Sequence, residues 1–286
     1  MTSHPTRDPR LTPARPDLAA AQLRGQVAAL RFVEGRPMHL RAEIADLRRT
    51  PSLESPIDTQ VLFGETVTLY DENEGWAWVQ LASDGYVGYV SRDALAEGPA
   101  APTHRVTVNH TFIYPAANMK LPITGALTRG ARVAVAGESG DFAQLAGGGF
   151  VFAAHLDTLA SRAVDFVAVA ESFVGSPYLW GGKSSLGIDC SGLVQIALAE
   201  SGLAAPRDTD LQQAALGEAL PVDAALGHLR RGDLVFWKGH VGIMRDPEIL
   251  LHANGHHMLV SFEPLAEARA RILRRGAGEI TAIKRI

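Results

Sequence analysis

The sequence predicts an α+β chain in which two small all-β barrels precede a larger unit of helices and antiparallel strands. Three observations carry that reading. Residues 44–98 and 103–157 each hold short apolar stretches that alternate at period two and are broken by frequent turns. After Asp157 the period becomes helical, and a run of strand-like segments then follows the helices. The only cysteine in 286 residues, Cys190, stands where a glycine-rich loop meets a helical pattern.

Residues 1–17 carry Pro5, Pro9, Pro13 and Pro16 and read as a flexible arm. Asp17 is placed to cap a short helix over 18–30, with Leu23, Val27 and Leu30 on one face. Residues 1–43 thus form an arm and helix ahead of the first barrel. In that barrel, strands are expected at 61–63, 67–70, 76–81 and 86–90, with a polar turn over 71–75 and a second at Asp84-Gly85. Gly98-Pro99-Ala100-Ala101-Pro102 reads as a linker. The second barrel repeats the order: strands at 106–108, 131–136 and 142–145, a turn at Gly147-Gly148-Gly149, then Phe150-Val151-Phe152. Both halves have a strand ending in Gln-Leu (Gln80-Leu81, Gln144-Leu145) before a glycine turn, which suggests an internal duplication.

In the unit over 158–286, Val164, Val167, Ala168, Ala170, Phe173 and Val174 suit a helix over 161–174, stopped by Gly175-Ser176-Pro177. The helix headed by Cys190 runs to Gly202, and a short helix is expected over 211–216. Strands are expected at 234–237, 240–244, 249–253, 257–262 and 280–286, with a helix over 263–272.

A thiol at a helix N-terminus faces unpaired N–H groups and the positive end of the helix dipole, which lower its pKa and favour a nucleophile. An inert, buried cysteine is the plainer alternative. His240 and His252 open the balance towards chemistry. A hairpin between their strands brings the rings side by side, and packing that sheet on the Cys190 helix brings His240 to the sulfur. This is the nucleophile, base and orienting-group arrangement of a cysteine hydrolase, with a thiolate–imidazolium pair and the Cys190 N–H as half of an oxyanion hole.

The paired barrels resemble tandem bacterial SH3-like domains. Gly85-Tyr86-Val87-Gly88-Tyr89-Val90 matches best, with Tyr89 where a Trp is more usual. Asp189-Cys190-Ser191-Gly192, the run GDLVFWKGHVGI at 232–243, and Leu251-His252-Ala253-Asn254 resemble the NlpC-type family of papain-like cell-wall cysteine endopeptidases, over about residues 160–286. The resemblance implies a papain-like catalytic unit behind two SH3-like barrels. It implies catalytic roles for Cys190, His240 and His252, and an oxyanion role for Tyr178. It further implies hydrolysis of the γ-D-glutamyl–diamino acid bond of murein peptides, usually at meso-diaminopimelate. Members with tandem SH3-like domains require a free L-alanine amine and release L-Ala-γ-D-Glu. On that pattern Asp189, Ser191, Tyr86 and Glu65 are expected around the substrate ammonium, with Tyr86 closing the subsite.

Net charge is −4 and no basic run marks the chain, so nucleic acid is not an expected partner. No apolar stretch follows the early arginines as in a signal peptide, and none is long enough to span a bilayer. A cytoplasmic monomer, without cofactor or metal, acting in peptidoglycan recycling is the resulting expectation. The competing readings are an exported wall hydrolase, a non-catalytic wall-binding module, another acyl chemistry on the same fold, and a metal site at His240, His252, His256 and His257.

Overall fold

Alternation of apolar residues between 36 and 97 builds a seven-stranded antiparallel sheet. Its strand order is Ile57–Leu62, Ile44–Arg48, Val87–Ser91, Trp76–Leu81, Thr66–Asn73, Arg36–Leu40, Leu95–Glu97. Met38, Leu40, Leu47, Val61, Val67, Leu69, Val79, Leu81, Tyr86, Val90 and Leu95 form its core. The computed structural model describes residues 7–222 and 226–286, and it separates into two units, Met1–Leu159 and Ala160–Ile286.

Three expectations for the first unit are corrected. The first barrel takes in Arg36–Leu40, ahead of the expected start at 44, because Met38 and Leu40 join its core, Met38 pairing with Val67 and Leu40 with Leu95. The helix expected over 18–30 is absent. Leu18–Ala20 is a strand paired in parallel with Arg31–Val33, with a single 3-10 turn at Ala21–Leu23 between them. Leu18, Ala20 and Leu23 bury against Tyr70, Trp78 and Val87, and Gly25 takes φ 78°, so packing and a left-handed turn override local helical spacing. The arm is also not loose from residue 7 onward. The Arg10 carbonyl accepts from the Val87 N–H, and the Arg15 guanidinium lies 4.5 Å from the Trp78 ring centroid while pairing with Asp17 and Asp71. Residues 1–6 of the arm lie outside the described residues.

The second barrel pairs His104–Val106 with both Arg132–Val133 and Leu156–Thr158, and stacks Val135–Ser139, Phe142–Leu145 and Phe150–Phe152. Val106, Leu127, Ala131, Val133, Leu145 and Val151 fill it. In each barrel the aromatic strand (Val87–Ser91, Phe150–Phe152) runs into a 3-10 turn (Arg92–Ala94, Ala153–His155). A closing strand (Leu95–Glu97, Leu156–Thr158) then pairs with the opening one. A hairpin of His110–Ile113 with Gly125–Thr128 adds to the strands expected there.

The second unit begins with α1, Phe166–Glu171, whose N-cap Asp165 accepts from the Val167 N–H. It is shorter than the expected 161–174, since Val164 is exposed ahead of the cap. The long helix α2, Cys190–Glu200, is buried almost throughout. It packs on α1 and on strands His240–Met244 and Ile249–Asn254. Then come α3, Thr209–Ala215, and α4, Leu265–Arg274. The sheet order is Glu218–Leu220, Ala282–Arg285, Leu234–Trp237, His240–Met244, Ile249–Asn254, Leu259–Pro264. Leu265, Ala268 and Ile272 of α4 cover one face through Val235, Trp237, Met244, Leu250 and Ile283. The last strand of the hairpin run starts at Leu259, two residues later than expected. Asn254 Oδ1 accepts from the His256 and His257 N–H groups, and Met258 takes φ 54°, so 255–258 is turn. Consequently Glu263 belongs to the strand, and the helix expected from 263 begins at Leu265.

Candidate active site

Cys190 is the first residue of α2 and is 6% exposed. Its N–H stands at a helix position with no intrahelical partner. The loop leading in is packed so closely that two glycines are obligatory. A Cβ on Gly182 would lie 2.3 Å from the Gly187 carbonyl oxygen, and one on Gly192 would lie 2.4 Å from that of Gly182.

Asp189 caps α2. Its Oδ1 accepts from the Gly192 N–H at 2.7 Å and its Oδ2 from the Gly181 N–H at 2.9 Å. Arg207, only 1% exposed, donates to both oxygens at 2.9 and 2.7 Å. The Ser191 hydroxyl donates to Asp189 Oδ1 and accepts from Arg207 Nη1. Five donors therefore converge on the Asp189 carboxylate, against about four lone-pair sites. Gln212, on α3, donates to the Ser191 and Pro206 carbonyls and ties this cluster to the next helix. Arg207 and Gln212 were not marked by any motif in the sequence.

The Val241 and Ser191 N–H groups donate to the Cys190 sulfur, which places the sulfur beside the start of the His240 strand. Burial, and then the Asp189 charge, push the thiol up to about 12 despite these donors and Arg207. The helix-terminus expectation of a lowered thiol pKa is thus corrected, because desolvation outweighs the dipole. His240 is lowered to about 3 by burial first, then by His252 and Arg271. Each group alone resists charge.

His240 opens its strand after the Lys238-Gly239 turn, and its Nε2 lies 2.9 Å from Nδ1 of His252. His252 is 1% exposed, and its Nε2 lies 3.2 Å from Oε2 of Glu263. The register explains the second contact. Leu250 pairs with Glu263 and His252 with Ser261, so His252 and Glu263 are diagonal neighbours on one face. That face is covered by α4, whose Arg271 holds both Glu263 oxygens, with Nε 3.0 Å from Oε1. Tyr178 is half-buried. Burial first, then the Cys190 and Asp189 charges, raise its hydroxyl pKa, so the phenol stays a donor near the sulfur. Tyr86 lies in the core of the first barrel and is 2% exposed. Glu65 is buried at a strand start, and its Oε2 accepts from the Leu62 N–H. Both belong to the first unit. Among the described residues, no group of three His, Cys, Asp or Glu is arranged to hold a metal ion.

A buried cysteine at a helix start, beside the strand opened by a histidine that is hydrogen-bonded to a second ring, is the arrangement of a cysteine-type peptidase site. Comparison with known sequences agrees. The model of the NlpC/P60 family matches residues 175–271, and that of the bacterial dipeptidyl-peptidase Sh3 domain matches 47–95. A gamma-D-glutamyl-L-lysine dipeptidyl-peptidase of Bacillus subtilis is 30% identical over 220 residues, covering 72% of each chain. One of the same name from Bacillus cereus is 25% identical over 241 residues, 76% of this chain and 70% of that one. A crystal structure of an NlpC/P60 family protein from Bacillus cereus shares the fold. Its TM-score is 0.71 at 20% identity, over 87% of this chain and 99% of that one. The chain belongs to the NlpC/P60 family.

Proposed function

We propose that the protein is a cysteine endopeptidase that hydrolyses the γ-D-glutamyl–L-diamino acid bond of murein peptides with a free N-terminal L-alanine, releasing L-Ala-γ-D-Glu. The observation that carries this reading is the joint occurrence of a Cys190–His240–His252 site with a first barrel of the dipeptidyl-peptidase Sh3 type, in a chain similar over most of its length to a γ-D-glutamyl-L-lysine dipeptidyl-peptidase. L-Lysine and meso-diaminopimelate present the same L-configured α-amine to the scissile bond, so both peptides are candidate substrates.

Cys190 attacks the γ-glutamyl carbonyl while its proton passes to His240. The Cys190 N–H and the Tyr178 hydroxyl receive the tetrahedral oxyanion. His240 protonates the departing amine, and then serves as base for the water that hydrolyses the acyl-enzyme. On the family resemblance the substrate ammonium is assigned to Asp189 and Ser191, with Asp189 acting by its charge, since its oxygens already accept from five donors. Arg207 already offsets the Asp189 charge, so the contribution of this carboxylate to binding is shared and correspondingly modest. Tyr86 and Glu65 are assigned to amine selection on the family resemblance alone. A cytoplasmic recycling role is part of the same proposal, and cell fractionation tests it.

The deciding experiment is cleavage of L-Ala-γ-D-Glu-meso-diaminopimelate and its L-lysine counterpart, followed by mass spectrometry, beside their N-acetylated forms and a Cys190→Ala protein. Cleavage of the free-amine peptides only, lost in Cys190→Ala, is the expected result. Equal cleavage of free and acetylated peptides would point instead to a hydrolase of intact wall. In Tyr86→Ala and Glu65→Gln proteins the preference for free over acetylated peptide is expected to fall.

A further inference from the structure

The hydrogen bonds behind His240 form a chain with a direction. Arg271 donates to both oxygens of Glu263, and this buried carboxylate is acceptor-only. Burial works to raise the Glu263 carboxyl, but the bonds from His252 and Arg271 hold it down at about 2. His252 Nε2, 3.2 Å away, must therefore be the donor. A neutral imidazole carries one N–H, so His252 Nδ1 is bare and accepts. His240 Nε2, 2.9 Å from it, must carry the hydrogen. What remains on His240 is a bare Nδ1, the form able to take a proton from sulfur.

We infer that Glu263, clamped by Arg271, is the positioning residue that fixes the tautomers of His252 and His240 and thereby makes His240 Nδ1 the base. The inference rests on the reading of Cys190, His240 and His252 as the catalytic set. In the step itself the Sγ–H bond breaks and an Nδ1–H bond forms. His240 becomes a cation, still donating through Nε2 to His252, and the negative charge of Glu263 lies two bonds down the chain to stabilise it. No proton leaves the chain. His252 alone does not specify this outcome, because a two-histidine pair reads equally well in reverse: His252 Nδ1–H donating to His240 Nε2 would leave the hydrogen on His240 Nδ1, the nitrogen that has to take the thiol proton. The carboxylate removes that alternative.

The groups facing the pair are Glu263 from its strand, Arg271 from α4 and His257 from the turn. Arg271 balances the carboxylate, so Glu263 does not drag a second proton onto His252. His252 stays neutral, its pKa lowered chiefly by burial.

The test is nitrogen NMR of histidine-labelled full-length protein at neutral pH, read without substrate, together with steady-state kinetics on the tripeptide. In the native protein both rings are expected to be protonated at Nε2 and bare at Nδ1. A native His240 protonated at Nδ1 overturns the inference, whatever any variant does. In Glu263→Gln the side-chain amide can donate to His252. His240 is then expected to shift towards the Nδ1–H form, with kcat lowered 10- to 100-fold and KM within about 2-fold. Replacing a carboxylate behind a catalytic histidine by its amide is known to act through the wrong tautomer. Arg271→Lys keeps a cation beside the carboxylate and is expected to retain native tautomers and most activity. Unchanged kcat and tautomers in a folded Glu263→Gln protein would overturn the inference. Failure of the peptidase reading shows separately, as cleavage that survives Cys190→Ala.

Discussion

At Cys190 two opposing effects meet, and magnitude decides between them. A helix N-terminus contributes roughly 0.3–1 kcal/mol to an anion in exposed settings, which is under one pKa unit at about 1.4 kcal/mol per unit. Full burial shifts pKa values by several units. Desolvation wins, and the thiol is pushed up to about 12 while His240 falls to about 3. The resting site at neutral pH is therefore thiol and neutral imidazole. The consequence for rate against pH has a definite sign. Protonated His240 cannot act as base, and that form accumulates only far below the ordinary imidazole value of about 6.5. Loss of the thiol proton to solvent is delayed far above the ordinary value of about 8.5. A plot of kcat/KM against pH, which reports groups of the free enzyme and free substrate, is expected to stay flat from about pH 5 to about pH 7 and to fall on the alkaline side only as the substrate's own α-ammonium titrates, near about 8. An acidic limb centred at 6.5 or above would contradict the burial of the pair.

The loop before α2 and the strand before α4 show what a local reading of sequence reaches and where it stops. Cys190, His240 and His252 were legible because each stands at a recognisable start or middle of its own element. Asp189 was expected at the substrate ammonium, and the structure gives it the local task of a carboxylate one residue before a helix, capping α2 through the Gly192 N–H. Arg207 was not legible, because its reason for burial is a partner 18 residues earlier that folding brings to it. Glu263 was missed differently. It was read as the first residue of the helix that follows its strand, and placing it in α4 hid the fact that it shares a face with His252. The helix expected over 18–30 failed because its apolar residues answer to Tyr70 and Trp78 and not to one another. The buried Asp189–Arg207 pair carries a testable cost. Removing one partner leaves an uncompensated buried charge, worth about 3–5 kcal/mol. Arg207→Met is therefore expected to lower Tm by on the order of 10 °C and to loosen the Cys190 loop. Thermal unfolding followed by circular dichroism checks the first effect, and the alkylation rate of Cys190 checks the second. A Tm within 2 °C of the parent, about what 1 kcal/mol or less would give, would mean the pair is not the pin of that loop.

Across the whole molecule, the two barrels share one topology although their sequences have drifted. The correspondence survives in how the opening and closing strands pair and in the 3-10 turn before each closing strand. Such positions are set by backbone pairing, which tolerates side-chain change, and only the aromatic strands and the Gln-Leu ends made the repeat visible in the sequence. The second unit has a different organisation and its own resources. Its sheet carries a core on the α4 face, α2 is buried within the same unit, and every hydrogen bond from Arg271 to His240 lies inside Ala160–Ile286. A length of this order suffices for an independent hydrophobic core. Residues 160–286 produced alone are therefore expected to fold, with one cooperative thermal transition and a Cys190 alkylation rate within about threefold of the full chain. That threefold is about 0.7 kcal/mol at RT ≈ 0.59 kcal/mol, the size of an ordinary surface effect. Urea unfolding monitored by tryptophan fluorescence is the direct measurement, because Trp180 and Trp237 are the two tryptophans in this unit and Trp237 is buried beside His240. A non-cooperative transition, or a thiol that alkylates as fast as a free cysteine, would mean that the site depends on the first unit for its integrity. A cooperative fragment with native thiol reactivity would place the chemistry wholly in the second unit.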